Sequence, residues 1–518
     1  MGLGCFNGPQ HTLQRGITMD NELVAAHSAE GSLHRGSLSL FETVSSTLAN
    51  IAPAMSVFLA IGAIVATMGS TAPWGFVAGA VAILTTGNTL AQFAQRMPTT
   101  GSFVAFINRG IGSMSPVAGK AASGIAFFLL VIAYPISLAS VVIFLGSWIQ
   151  GYFGLPSLDW ILFAMIAVAL VIPLLLTGTG ISVRTSFILF VTEAVGLLVF
   201  AVAVIAQAGS HAALPLHSVG GSPGGIHGVL GITFAIVVFG YVGWENSGPL
   251  GEESKNPRRT IPMTIVISVG IIALLFVAST WAVVAGYGAW YGNVRGMNIL
   301  ASGSVSAPFI ALARHYAPAL VWWMVLIGVT SALGAFLSAA VPITRIMYHG
   351  ARAGLLPKAV SRVGRRSGVP IVSMWIYIVG TVACILVPML FLGTNPGTLS
   401  ADLAGISTVP ILIVYVLANL SLPIYIWRND RSTYQLFTHL VLPILGIIIV
   451  GYGTWISIQP NQAPPANWFW LWVLGMVVLS AVATGIVAKK NPQALTKLGD
   501  SLENVEEIIV PHHTPVEG

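Results

Sequence analysis

Gly240-Tyr241-Val242-Gly243-Trp244 interrupts an apolar stretch that starts near residue 228, and the chain then leaves it through Glu252 to Pro262 as EESKNPRRTIP. In lipid every backbone N–H and C=O must be satisfied within the protein, so unwound backbone at membrane depth survives only where it lines a cavity or meets a ligand. Residues 240–244 are therefore the first candidate binding segment. An earlier apolar stretch carries a matching interruption at Asn50-Ile51-Ala52-Pro53-Ala54-Met55-Ser56, where Pro53 removes a helix donor and clashes with the preceding turn. Two broken helices in corresponding places point to a secondary transporter.

Composition bounds the class. Of the 518 residues, 55% are hydrophobic and 7% charged, with a mean hydropathy of +0.86, whereas a soluble protein carries about 25% charged residues. A membrane span needs roughly 20 apolar residues, and twelve such stretches follow one another between about Leu40 and Val487. The expected fold is an all-α polytopic membrane protein with twelve transmembrane helices. Residues 1–38 are expected to form a cytoplasmic tail, 39–488 the transporter domain, and 489–518 a second cytoplasmic tail that is charged and mobile. The first 38 residues lack the apolar core of a cleavable signal. Phe6 departs from the myristoylation pattern after Gly2, and Cys5 follows no apolar run. Cys5 and Cys384 alone make neither a disulfide framework nor a metal site.

The expected spans are 40–67, 74–94, 117–148, 158–176, 182–207 and 228–250, then 263–287, 320–348, 370–392, 405–427, 435–457 and 467–488. If they alternate across the membrane, every one of the 22 Lys and Arg except Arg295 and Arg314 falls on one side. Basic residues near short loops mark the cytoplasmic face, which places both termini in the cytoplasm and the protein in the cytoplasmic membrane. The basic balance reports topology, not a nucleic-acid partner; the partners expected are a small molecule and membrane lipid. Residues 307–314, in the connection after span 7, read either as a short helix over the external mouth or as a loop with one interfacial turn.

Three stretches resemble the amino acid-polyamine-organocation superfamily of permeases, of the amino acid permease type. Phe239 to Glu245 followed by Gly251 to Arg259 is similar to the family's G-F-E and E-x-x-K-N-P-x-R pattern. Met97 to Phe103, with Arg109 and Gly112, resembles its P-x-x-G-G-x-Y stretch, with Ser102 and Phe103 as departures. Arg345 to Tyr348 and Ala351 to Lys358 resemble the cytoplasmic end of its eighth span. The resemblance covers about residues 40–490. It implies two inverted repeats, spans 1–5 and 6–10, with broken spans 1 and 6 and two extra C-terminal helices, and a substrate site between spans 1, 3, 6, 8 and 10.

A half-helix N-terminus offers unpaired N–H groups and partial positive charge to a carboxylate, so Ala54, Met55 and Ser56 are the candidate donors. Ala54 and Met55 depart from the Gly-Ser-Gly of many members. Unwound carbonyls of Phe239, Gly240 and Val242, around Gly243, are candidates to receive the substrate ammonium. Tyr241 and Trp244, with Tyr134 and Tyr415, are candidates for its side chain; ordinary buried rings also account for Tyr134 and Tyr415.

Among 16 acidic residues only Glu193 and Glu245 lie well inside a span, where an ionisable group costs at least about 2.5 kcal/mol and marks a functional hypothesis. Either is a candidate to load and release a coupling proton. The bland alternatives are that Glu245 braces unwound backbone and that Glu193 bonds a neighbouring hydroxyl such as Thr192. Some proton-coupled members place Lys in span 5, and residues 182–207 contain none. Sodium bound by span 1 carbonyls with Thr330, Ser331 or Ser338 is the alternative, and exchange is another; no cofactor beyond a coupling ion is expected. A channel is weighed on Val450-Gly451-Tyr452-Gly453, which occurs once inside an apolar span rather than in a fourfold re-entrant loop. An enzyme would want clustered His, Cys or paired carboxylates at depth, and none is read.

Overall fold

A computed structural model of the chain describes residues 39–97, 101–155, 159–177, 183–218, 225–248, 254–305, 307–364 and 367–500. Residues 98–100 and 249–253 of the quoted motifs, and both expected tails up to 38 and from 501, lie outside the described residues.

Ser39 starts α1 (Leu40–Ile51) with a reciprocal cap: its hydroxyl accepts from the Glu42 N–H at 3.3 Å, and its own N–H donates to Glu42 Oε2 at 2.7 Å. Such a pair satisfies two of the orphan donors of a helix start. The helix stops at Ala52, left-handed at φ 52° and ψ 69°, and α2 (Pro53–Met68) begins at once. A proline in the first helical position gives up only an N–H that had no partner. Then come α3 (Ala72–Arg96), α4 (Ser102–Gly112), α5 (Pro116–Phe153), α6 (Asp159–Thr177) and α7 (Val183–Gln207). Expected span 6 is α8 (Ile232–Phe239), a turn, and a 3-10 segment at Trp244–Ser247. The rest is α9 (Pro257–Tyr291), α10 (Asn293–Ala301), α11 (Pro308–Tyr316), α12 (Val321–Ala353), α13 (Ile371–Leu386), α14 (Met389–Leu392), α15 (Pro396–Asn429), α16 (Leu442–Ser457), α17 (Phe469–Lys490) and α18 (Pro492–Asp500).

By length and apolar composition, ten helical stretches among the described residues can cross a membrane. One of them, Leu40–Arg96, holds expected spans 1 and 2, and expected span 6 drops out of that count because α8 ends after 8 residues. The structure corrects two boundaries. Expected span 10 begins at Pro396 rather than 405, because Asn395 caps it, accepting from the Gly397 and Thr398 N–H groups at 3.0 and 3.2 Å. Residues 492–500, read as part of a mobile tail, form α18, with Ala494 and Leu495 buried and Leu495 O accepting from Asn108 Nδ2 at 3.3 Å. Residues 450–453 lie inside continuous α16. Ser102, standing where the related pattern has Gly, adopts φ 43°, a conformation that favours glycine.

Two groups of helices organise the bundle. The first comprises α1, α2, α3, α8 and α9; the second comprises α5, α6, α12 and α13; α7 and α15 touch both, and α12 also packs on α1 and α2 across the boundary. These are expected spans 1, 2, 6 and 7 against 3, 4, 8 and 9, the same ordinal positions in each set of five. Where the groups meet on the side of the α2 C-terminus, Phe58 stacks on Trp148 at 4.6 Å and 12°, and Phe309 of α11 closes on Phe58 at 4.3 Å. Trp148 lies in a notch of α12 left by Gly328, where any side chain would collide with the indole.

On the opposite side Arg96 ends α3 by joining three elements. Its Nε pairs with Asp430 Oδ2 at 2.9 Å, its guanidinium donates to Gln92 Oε1 at 2.8 Å and Thr433 Oγ1 at 3.0 Å, and Gln92 Oε1 also meets His439 Nε2 at 2.9 Å. The Thr433 hydroxyl and then Arg96 hold the Asp430 carboxyl below the usual carboxylate range. A lowered carboxyl adds stability above the unfolded value, near 3.9 for Asp, and loses it as pH falls through the lower folded value. Asp430→Asn should therefore cost up to about 1 kcal/mol near neutral pH, the range of a partly exposed pair. In detergent melts the gap to the parent should hold to about pH 5 and shrink below about pH 4; a gap constant to pH 3 refutes the ion-pair account.

Candidate functional site

The two interruptions face each other. Asn50, in the last turn of α1, donates its Nδ2 to Gly243 O at 3.3 Å. Gly243 sits at φ 111°, and a Cβ there would lie 3.0 Å from the Asn50 carbonyl, so the span 6 turn needs glycine for both its conformation and its approach to span 1. In that turn Tyr241 N–H donates to Val238 O at 2.9 Å and Val242 N–H to Phe239 O at 3.0 Å, while Trp244 N–H goes to Tyr241 O at 3.2 Å. Gly243 N–H donates instead to Glu245 Oε2 at 2.9 Å. Gly240 O is thereby left without the helical donor three or four residues on.

Glu245 is buried and bound on both oxygens: Oε1 accepts from the Tyr134 hydroxyl at 2.9 Å, and the Tyr415 hydroxyl also reaches the carboxyl. Trp244 Nε1 donates to Tyr415 Oη at 3.0 Å, and Phe103 packs on both rings. Two cavities flank this network. The smaller, of about 20 Å3, is lined by Asn50, Ser102, Phe103, Tyr134, Glu245, Ile346 and Tyr415 among others. The larger, of about 40 Å3, is lined by Asn50, Ile51, Met55, Ser56, Tyr134, Ser137, Phe239, Val242, Gly243 and Tyr377 among others. Asn50 and Tyr134 line both. With roughly 10–15 Å3 needed per water on this measure, the smaller has room for one or two water-sized groups and the larger for about three.

The expected residues separate into three sets. Met55, Ser56, Phe239, Val242, Gly243 and Tyr134 border the larger cavity, and Tyr415 and Glu245 the smaller. Tyr241 is turned away, its hydroxyl donating to Phe76 O at 2.8 Å and its ring between Phe76 and Phe276. Ala54 also faces elsewhere. Its N–H donates to Glu193 Oε2 at 3.4 Å, and Met55 N–H donates to Ser331 Oγ at 3.1 Å. Ser56 N–H bonds Ala52 O at 3.0 Å. Glu193, buried on α7, thus meets the start of α2 rather than Thr192, whose hydroxyl donates to Ile188 O at 2.8 Å. The hydroxyl trio read as a sodium site does not converge: Thr330 Oγ1 bonds Leu326 O of its own helix at 3.0 Å, Ser331 holds Met55, and Ser338 is half-buried further along α12.

Sequence reasoning passed over Asn50, Ser137 and Tyr377. An Asn just before a proline break carried a signal, since it is a polar group at membrane depth. Tyr377 carried none, being one tyrosine in a span assigned no role at the site. For Gly243→Leu, the positive φ and the Asn50 contact predict loss of uptake, with the chain still in the membrane by surface labelling; uptake within twofold of the parent refutes the broken-helix assignment.

A family model described as amino acid permease matches residues 43–495. The branched-chain amino acid permease BcaP of Bacillus subtilis (strain 168) is 25% identical over 407 residues, 73% of this chain and 81% of that protein. BcaP of Lactococcus lactis subsp. cremoris (strain MG1363) is 28% identical over 276 residues, 50% of this chain and 52% of the relative. Cationic amino acid transporter 3, mitochondrial, of Arabidopsis thaliana is 25% identical over 288 residues, 51% and 44% of the two chains. With breaks in spans 1 and 6 meeting through Asn50 and Gly243 and a family match spanning nearly all the helices, the chain belongs to the amino acid permease family.

Proposed function

We propose that the protein is a secondary active carrier of neutral, preferably aliphatic, amino acids that works by alternating access and is coupled to protons. The observation that carries this reading is the bridge through Glu245, which joins the span 6 break in one helix group to Tyr134 in the other, between two cavities. Protonation removes the charge that strengthens both hydrogen bonds, so a proton on Glu245 loosens the tie between the groups, and its departure restores it. Glu193 is the second proton site. It stands at the start of α2 with Ser331 beside it, so its charge state bears directly on the span 1 break.

Aliphatic substrate follows from the lining. Ile51, Met55, Leu138, Val141, Phe239 and Val242 make the larger cavity mostly apolar, and two relatives are named for branched-chain amino acids. Met55 narrows the space where many members have serine. The one-sided basic residues orient both termini toward the cytoplasm, so uptake into the cell is the direction of the proton gradient.

In proteoliposomes, an inward proton gradient should accumulate labelled leucine without sodium. Glu245→Gln and Glu193→Gln should each bind leucine yet lose most of the pH dependence of uptake. Two unchanged pH profiles would make these carboxyls structural, and accumulation that requires sodium would overturn proton coupling.

A further inference from the structure

Recognition of an amino acid needs acceptors for its ammonium and donors for its carboxylate, and the donors expected at the start of α2 are already engaged. Pro53 has no N–H, Ala54 N–H points to Glu193, Met55 N–H to Ser331, and Ser56 N–H to Ala52 O. Three further side-chain donors around the larger cavity are engaged as well, the Ser137 hydroxyl being an exception. Asn50 Nδ2 holds Gly243 O, Ser56 Oγ donates to Ile51 O at 2.9 Å, and Tyr134 donates to Glu245.

Two buried polar atoms on the wall of that cavity have no partner among the described residues: Asn50 Oδ1 and the Tyr377 hydroxyl. Tyr377 is on α13, fully buried, and Asn50 is 8% exposed. Leaving such groups unsatisfied is unfavourable, so each orphan in a native structure calls for an explanation. Their chemistry is complementary. An amide oxygen only accepts, which suits an ammonium; a phenol hydroxyl donates, which suits a carboxylate.

We infer that Tyr377 of span 9 holds the substrate carboxylate and that Asn50 Oδ1 holds its ammonium, so that the zwitterion spans the cavity from α1 to α13. The assignment rests on the larger cavity being the substrate site. It brings span 9 into recognition, and it leaves Glu193 and Ser331 in place at the head of α2 while substrate is bound. Met55, an unbranched side chain that repacks readily, is the wall that yields to admit a ligand larger than the present space.

Tyr377→Phe tests this, since it removes one oxygen and keeps the ring. Leucine uptake by the variant in proteoliposomes should show KM raised by about tenfold or more, the range for a hydrogen bond to a charged group, with Vmax near the parent's. Leucinamide, which lacks the carboxylate charge, serves as competitor. The factor by which the parent prefers leucine over leucinamide should fall in the variant by about the same ratio as KM rises. An unchanged KM, an unchanged preference, or a loss confined to Vmax each overturns the assignment. A parent that moves no amino acid would instead overturn the proposed function, so the two failures are distinguishable. A detergent melt of the variant within a few degrees of the parent excludes misfolding as the cause of a raised KM.

Discussion

A carboxylate in an apolar interior must have every oxygen occupied, and Glu245 meets that demand by recruiting three elements. Gly243 N–H comes from its own unwound turn, the Tyr134 hydroxyl from α5 and the Tyr415 hydroxyl from α15. The turn cannot become helix while Gly243 N–H is so engaged, and α5 and α15 cannot drift from span 6 without leaving the charge exposed. The local break in span 6 and the contact between the helix groups are thus tied together at one buried carboxyl group. Asn50 extends the same network to span 1 by holding Gly243 O.

The break in span 1 has a different origin. Pro53 stops the helix by covalent geometry, Ala52 turns left-handed to let the next helix begin, and the exposed N–H groups of Ala54 and Met55 then need acceptors that lipid cannot provide. Glu193 and Ser331 are those acceptors. One interruption is therefore set by proline geometry and the other by a left-handed glycine held in a side-chain network, and the two face one another.

This difference governs what could be read beforehand. Pro53 announces its break because proline restricts the backbone whatever surrounds it, and Gly240 and Gly243 announce theirs because glycine permits backbone that other residues rarely adopt. The long apolar runs likewise disclose the helical membrane class, and the buried positions of Glu193 and Glu245 follow from their rarity. Direction is harder. Whether Tyr241 points at a cavity or between Phe76 and Phe276 depends on how span 6 is rotated after it unwinds, and no local pattern records that rotation. The early start of α15 was hidden because Ser400 and Asp402 put polar groups just ahead of the apolar run, whereas Ser400 is satisfied by a serine on another helix, donating to Ser140 O at 2.9 Å. Tyr377 is the extreme case: its significance lies in lacking a partner, which only three-dimensional packing can show.

The stacked rings of Phe58 and Trp148 bear on how the two groups can move. Trp148 is fixed to its own group, since the notch at Gly328 grips the indole by shape. Its outward face is flat, and Phe58 lies on it almost parallel. Ridged helix surfaces interlock and resist shear, but two parallel rings can slip past each other while keeping most of their contact area. The parallel stack therefore interlocks α2 with the indole less than meshed ridges would, and a sliding of α2 across it is the displacement this contact opposes least.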